Sequence, residues 1–375
     1  MTATTFLKGY LDFLRRDGWA VTLVCSGGPG VAELAVRSGI AFEPLAMERE
    51  PSPVKDMRAL LVAIKILRKI RPDVLVYATP KASLIGSIAG KLVRVPRRVY
   101  ELWGLRLETA SGMARRVLWL LEALTMRLST RVIANSRSMA VRAGELRLSG
   151  RREIETLGAG SSHGVDTDHF SKLADIPGLS PELRESLSTS DAPVVGFVGR
   201  MHPDKGIDIL LDALRICADT GVKAQLLIVG ADEGVDIEHD IWGMRGVVRV
   251  HTAGFTQDVR PMLRAMDVLA LPSRREGFPN VVLEAAAMSV PAVVTDATGC
   301  VDAVVDTETG FIVPVGDAPA LAAAIIEMLG DDKKRAAMAE SARARAVELF
   351  EPSRIWALHS DAWLHTSNFT RTTAP

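Results

Sequence analysis

Short apolar runs alternate with amphipathic stretches along most of the chain. In the first half, WAVTLVCS (19–26), DVLVYAT (73–79), RRVYELW (97–103), RVIANS (131–136) and IETLGAG (154–160) have the length and branched-residue content of strands. Helical spacing of apolar positions falls between them, over 55–70, 81–92, 112–128 and 138–147. Strands alternating with amphipathic helices predict βαβ units and a parallel sheet. The rhythm breaks at 165–193, a polar stretch interrupted by prolines, which reads as a linker with one short helix. It then restarts with strands PVVGFVGR (193–200), AQLLIVG (224–230), VVRVHTAG (247–254), VLALPS (268–273) and PAVVTD (291–296), and helices over 206–219, 258–266, 280–289 and 318–329. The expected fold is α/β: two doubly wound Rossmann-like parallel-sheet domains with a cleft between them. The expected division is 1–165, a linker at 166–192, a second domain at 193–348, and a C-terminal helix with a frayed tail at 349–375.

The start departs from this pattern. TTFLKGYLDFLRRDG (4–18) reads as a helix, where a doubly wound domain usually opens with a strand and a Gly-rich turn. A start upstream of Met1 is expected, in preference to a naturally shortened sheet. VCSGGPG (24–30) follows the wrong strand to replace that turn and reads as a simple loop.

Composition narrows the class. The chain has 375 residues, of which 48% are hydrophobic, enough for two or three domains with large cores. Its three cysteines, Cys25, Cys217 and Cys300, are far apart in sequence, which fits a reducing compartment and disfavours a zinc site. No basic start followed by an apolar run marks a signal peptide, and no apolar run is long enough to span a membrane. Net charge is zero, but Met57 to Arg152 holds 20 Lys/Arg against 5 Asp/Glu. Such a field attracts phosphates, nucleic acid or a membrane surface, unless it is only a solvated face. Nucleic acid is disfavoured because aromatic platforms and a helix-turn-helix pattern are lacking.

The candidate chemistry lies in loops after strands of the second half. In VGRMHPDKGIDILLDAL, Arg200 ends a strand, Lys205 follows, and Gly206 precedes a helix, a setting that suits a diphosphate. In EGFPNVVLEAAAMSVPAVVT (276–295), Pro279 opens a helix whose first N–H groups, at Asn280, Val281 and Val282, add a second anion-friendly element. Gly277 permits close backbone approach. Glu284, one turn on, can accept hydrogen bonds from vicinal hydroxyls, and Glu276 can face a sugar. Taken alone, two glutamates at this spacing are a weak signal; their position after a strand and before a Pro-started helix gives them weight.

These motifs resemble the retaining glycosyltransferases of family 4, which have the GT-B fold. The matching segments are GRMHPDKGIDILLDAL (199–214), LLIVGADEG (226–234), 268–299 and GFIVPVGD (310–317). In the first half, 79–112 and LGAGSSHGVDTDHF (157–170) resemble the bacterial branch that builds capsule, exopolysaccharide or lipid-linked oligosaccharides. The resemblance implies that Arg200 and Lys205 bind the donor diphosphate, Glu284 holds the ribose, and Glu276 lies near the donor sugar. Gly277 and Phe278 would approach that sugar through their backbone, and Ala253, Gly254 and Phe255 would contact the base. It implies a hexosyltransferase without a cofactor, using a nucleoside-diphosphate sugar, with UDP-sugars favoured, and a lipid-linked or polysaccharide acceptor. It also implies a C-terminal helix (350–365) that crosses back to the N-terminal domain. Retention by front-face departure and attack is implied, with Glu276 as covalent nucleophile the less favoured version. No Asp-x-Asp lies at a donor site, since DTDH (166–169) falls in the linker, so a metal-independent reaction is expected.

Two departures stand out. The first strand with its Gly-rich loop is missing, and Trp103 occupies a loop position where many members have histidine. Lys81 and Arg106 are further candidates for acceptor or phosphate contact. The basic helices at 57–73 and 114–131 could rest on an anionic membrane face or meet a polyprenyl diphosphate; the alternative is that they bury their apolar stripe in the sheet and solvate the rest. A cytoplasmic protein, peripheral at the inner membrane face, fits these features. The rival readings are a sugar-nucleotide 2-epimerase of the same architecture and a non-catalytic sugar-nucleotide binder.

Overall fold

In the second half the apolar runs become parallel strands buried on both faces. The computed structural model describes residues 6–28, 30–48, 52–150, 152–233 and 248–364. Two compact units emerge: Met1–His163 with Pro352–Pro375, and Gly164–Glu351.

The second unit holds β7 (Val194–Val198), β8 (Gln225–Val229), β9 (Arg249–Thr252), β10 (Val268–Leu271), β11 (Ala292–Thr295) and β12 (Gly310–Val313). All pair in parallel in the order β12-β11-β10-β7-β8-β9. This is the doubly wound order, in which the strand order reverses between β7 and β10, leaving a crevice at their carboxyl ends. Strands β7, β8, β10 and β11 are buried throughout, as expected when helices cover both faces. The helix Ile207–Asp219 packs on Ala318–Gly330, and Asn280–Ala287 packs on Asp332–Leu349. The stretch read as a linker clusters with this unit: Ser186 Oγ lies 2.8 Å from His251 Nδ1, and Arg260 reaches the His169 carbonyl. Its one helix is Pro181–Ser188.

The first unit holds β1 (Thr22–Cys25), β2 (Ala41–Pro44), β3 (Val74–Tyr77), β4 (Arg97–Leu102), β5 (Arg131–Ala134) and β6 (Glu155–Thr156). The single parallel sheet expected here is two sheets, β1-β2 and β3-β4-β5-β6, because β1 and β3 do not pair with each other. The helix Val31–Ser38 and the strand β2 were not among the expected elements: the helix buries Val31, Leu34 and Ala35 but runs only eight residues, and β2 only four. Helix Asp332–Leu349 was also missed: only Met338, Ala342 and Ala346 are buried along its 18 residues, so no apolar stripe marks it.

The C-terminal helix Pro352–Leu364 belongs to the first unit. Trp356 stacks on Tyr10 at 5.6 Å, and Trp363 meets Trp19 edge-on at 5.8 Å. Beneath them Glu101 Oε1 accepts from His359 Nδ1 at 2.9 Å and from Trp363 Nε1 at 3.2 Å. The tail read as frayed (366–375), Met1, Pro29 of the Gly-rich turn and Gly234 lie outside the described residues.

Candidate functional site

The carboxyl ends of the second unit's strands are stitched into one surface by backbone hydrogen bonds. Gly199 N–H donates to Val229 O at 2.9 Å, Met201 N–H to Ala231 O at 2.9 Å, and Gly230 N–H to Gly254 O at 2.8 Å. The ladder of β7, β8 and β9 thus continues past the strands and places Arg200, Gly254 and Phe255 on neighbouring loops. A Cβ on Gly230 would stand 1.8 Å from Gly199 O, so only glycine allows these loops to close up.

The loop after β7 joins the loop after β10 at the switch point. Pro203–Lys205 forms a single 3-10 turn, and Gly206 then takes the left-handed conformation (φ 67°) that starts the next helix. A Cβ there would meet Pro272 O at 2.1 Å. Across this contact Arg274 N–H donates to Asp204 O at 2.7 Å, Arg275 Nη2 to Asp204 Oδ2 at 2.5 Å, and Arg274 Nη2 to Asp208 Oδ2 at 2.6 Å. Lys205 Nζ donates to Glu276 Oε1, which also accepts from Ser273 Oγ at 2.7 Å. Lys205 and Glu276, both largely buried, are therefore in direct contact. Arg200 is about half exposed and pairs with Glu233.

The third side is the Asn280–Ala287 helix. Pro279 is its N-cap, one position earlier than the first turn expected from sequence. Val282 N–H is not free, as the sequence suggested, but donates to Pro279 O at 3.0 Å. The buried Asn280 Oδ1 has no donor among the described residues, and an unsatisfied buried acceptor costs about 1–3 kcal/mol. Gly277 is partly exposed, whereas the Phe278 ring is buried against Phe350 at 5.5 Å, so only the backbone of that residue can meet a ligand. Glu276 N–H is fixed by Thr298 O at 3.1 Å, and Gly299 lies so close that a Cβ would reach Gly277 O at 2.2 Å. The Glu284 side chain has no partner among the described residues, and desolvation pushes its carboxyl up to about 7.

Of the residues singled out from sequence, Arg200, Lys205, Glu276, Gly277, Asn280, Val281 and Glu284 come from the loops and helix around β7 and β10. Gly254 and Phe255 follow β9, two strands from β7. With strands about 4.8 Å apart, the span from β9 to β10 is about 14 Å, a run suited to an extended nucleoside diphosphate. Sequence reasoning gave no role to Ser273, Asp204, Arg274 or Glu233, which hold the ionic side chains in place. Their only signal was the density of charge in HPDKG, ADEG and SRREG.

In the first unit, Trp103 stacks on Phe6 at 5.3 Å with its Nε1 buried and without a partner among the described residues, and Phe6 meets His163 edge-on at 4.8 Å. Burial, then the charge of His359, pushes the His163 imidazole down to about 4. Lys81 is tied to Asp56 at 2.7 Å, while Arg106 is exposed.

Comparison with known proteins places this geometry. Residues 192–331 match the family described as group 1 glycosyl transferases, and residues 3–160 match the glycosyl transferase 4-like domain. The chain is 33% identical over 353 residues to the capsular polysaccharide biosynthesis glycosyltransferase CapM of Staphylococcus aureus, spanning 93% of this chain and 91% of that one. It is 24% identical over 345 residues to an Escherichia coli galactosyltransferase described as UDP-Gal:alpha-D-GlcNAc-diphosphoundecaprenol alpha-1,3-galactosyltransferase, with 90% and 87% covered. In fold it is similar to Anabaena HepE, solved with UDP and glucose, with a TM-score of 0.74, 22% identity and 96% of both chains covered. It is likewise similar to WaaG, a glycosyltransferase involved in lipopolysaccharide biosynthesis, with a TM-score of 0.71, 16% identity and 96% of both chains covered. No helix among the described residues is long and apolar enough to cross a membrane. The matches cover both halves and the relatives nearly end to end, so the chain belongs to the family 4 glycosyltransferases of GT-B fold.

Proposed function

We propose that this glycosyltransferase moves a hexose or N-acetylhexosamine, with retention, from a nucleoside-diphosphate sugar to a lipid-linked or polysaccharide acceptor in cell-surface glycan synthesis. A UDP-sugar is favoured, and the enzyme works in peripheral contact with the inner membrane face. The observation that carries the donor assignment is the meeting of Lys205, Glu276 and the Asn280–Ala287 helix start at the switch point, with Arg200 on the adjoining strand end. The capsular role of the S. aureus relative and the UDP and glucose bound by HepE support the choice of donor and product.

In this reading the diphosphate takes Lys205 from Glu276 and Arg200 from Glu233. The base reaches Gly254 and Phe255, and Glu284 accepts from the ribose hydroxyls. Charge developing on the leaving phosphate meets two cations and the helix N-terminus; a well-placed fixed donor of this kind is worth about 3–4 kcal/mol of barrier. The C1–O bond to phosphate breaks while the acceptor oxygen bonds C1 on the same face, and the acceptor proton passes to the departing phosphate oxygen. Glu276, released from Lys205, faces the sugar and stabilises positive charge at C1. These groups supply the charge that a divalent metal would otherwise provide, so the reaction runs without one.

The test is a thermal-shift screen of UDP-, GDP- and ADP-sugars. At least one raises the melting temperature of the parent chain, and both Arg200→Ala and Lys205→Ala remove that shift. Normal donor binding by either variant overturns the phosphate assignment.

A further inference from the structure

The helix Gly112–Leu128 has two apolar faces, and only one of them is used by the fold. Inward it buries Glu122, Thr125 and Met126, with Leu118 and Trp119 packed against the same core. Outward it presents Met113, Val117, Leu120, Leu121 and Leu124 at i, i+4, i+7, i+8 and i+11, a single stripe on the opposite side. Met113 is 69% exposed and Leu120 is 60% exposed. A surface helix in water normally has the reverse arrangement. Here the one carboxylate of the helix is turned inward, where Tyr100 Oη donates to Glu122 Oε2 at 2.8 Å, and the leucines face out.

The charges around the stripe are all positive. Arg116 and Arg127 fall along one edge of it; both are exposed and make no ion pair among the described residues. The helix Pro53–Ile70 repeats the combination, with Met57 and Leu61 exposed beside Arg58, Lys65 and Arg68, likewise unpaired. Both helices pack against Pro80–Val93, whose Leu92 is exposed near its end. An apolar stripe bordered by unpaired arginines matches the two layers of an anionic bilayer surface, acyl chains below and phosphates above.

We infer that the outward face of the Gly112–Leu128 helix docks this protein on an anionic lipid bilayer. The inference rests on the membrane-contact part of the proposed function and names the surface that makes it. A second copy of the chain is the competing occupant, but a self-contact would bring like-charged arginines together around the stripe.

The experiment is vesicle co-flotation of the full chain, using phosphatidylcholine vesicles with and without one-third phosphatidylglycerol. Binding is expected only with the anionic lipid and should fall at high salt. Leu120→Gln with Leu124→Gln, and separately Arg116→Glu with Arg127→Glu, should each lower partitioning at least tenfold. Circular dichroism and the nucleotide-sugar thermal shift should stay unchanged, which separates failure of this surface from failure of the transferase reading. Three results overturn the proposal: partitioning that ignores phosphatidylglycerol, unchanged binding by both variants, or a parent dimer that Leu120→Gln with Leu124→Gln converts to a monomer.

Discussion

Lys205 donates from Nζ to Glu276 Oε1, although 71 positions separate them in the chain. One residue comes from the turn after β7 and the other from the loop after β10, so their bond closes the switch point. Losing either partner strands a charge in a largely buried place. Lys205→Ala should lower kcat/KM by about 10²–10³, as expected for removal of one fixed donor to the leaving group. Lys205→Arg should recover part of it. A steady-state assay with the donor found by the thermal-shift screen checks this.

A second prediction concerns pH. Burial pushes Glu284 up to about 7, so the folded form holds a proton that the unfolded chain has released above the usual carboxylate range. Stability contributed by this group is therefore lost as pH rises from about 4.5 to 7, by at most about 3 kcal/mol, and is level above that. Donor affinity should move the other way, rising through pH 7 as the carboxylate forms and accepts ribose hydroxyls. Glu284→Gln should flatten both trends and weaken donor binding at pH 8 about tenfold or more. Glu122, also pushed up to about 7 by burial, adds a similar stability slope that Glu122→Gln removes without touching donor affinity. Urea unfolding and donor titration at pH 5, 6, 7 and 8 separate the two.

Two glycines with the same sign of φ give a direct comparison. Gly206 (φ 67°) has Pro272 O 2.1 Å from where a Cβ would sit, while Gly221 (φ 84°) has nothing within 4 Å. Gly221→Ala should cost only backbone strain, about 1 kcal/mol. Gly206→Ala should cost more than about 2 kcal/mol and weaken the donor as well, since the β7 and β10 loops must separate. Urea midpoints of the two variants give the comparison.

The reading that side chains and a helix terminus carry the leaving-group charge predicts that EDTA leaves turnover intact. A strong loss that Mg²⁺ restores would contradict it.

The buried pair in the first unit gives a further test. Burial opposes charge on His359, but Glu101 beside it, their hydrogen bond and the Ser161 backbone more than offset this and raise the imidazole. The stability from that raised group is fully present below about pH 6.5 and is lost as pH climbs through the folded value. Glu101→Gln should therefore destabilise more at pH 6 than at pH 9, by about 3 kcal/mol at the lower pH. Thermal melts at the two pH values show the difference.

Much of this was legible because doubly wound sheets write themselves as repeated apolar runs. Strands β7, β8, β10 and β11 are buried throughout, and each appeared as an uninterrupted hydrophobic segment. The placement of Arg200, Lys205, Glu276 and Glu284 around the ends of β7 and β10 was legible because strand ends and a Pro-marked helix start locate the crevice. Other features were not. Asp332–Leu349 spreads its alanines and charges round all its sides, and β2 is four residues, two exposed and two half-buried; neither leaves a periodic trace. The partners of the charged side chains, Glu233 for Arg200, Ser273 for Glu276 and Asp204 for Arg275, depend on how loops lie side by side, which spacing along one chain does not encode. The outward leucines of Gly112–Leu128 were visible as letters, but only burial shows that the core takes the opposite face.

The contact between Glu101 and His359 joins residues 258 positions apart inside one unit, while the other unit occupies the chain between them. On a ribosome, the part of the first unit up to His163 emerges before the inserted unit, and the Pro352–Leu364 helix only after it. During that interval Tyr10, Trp19 and Glu101 wait for Trp356, Trp363 and His359, whereas the inserted unit can already complete its own sheet. The order of maturation is thus inverted relative to the order of translation, and a nascent chain cut short before Pro352 would leave an aromatic, acidic seam open to chaperones.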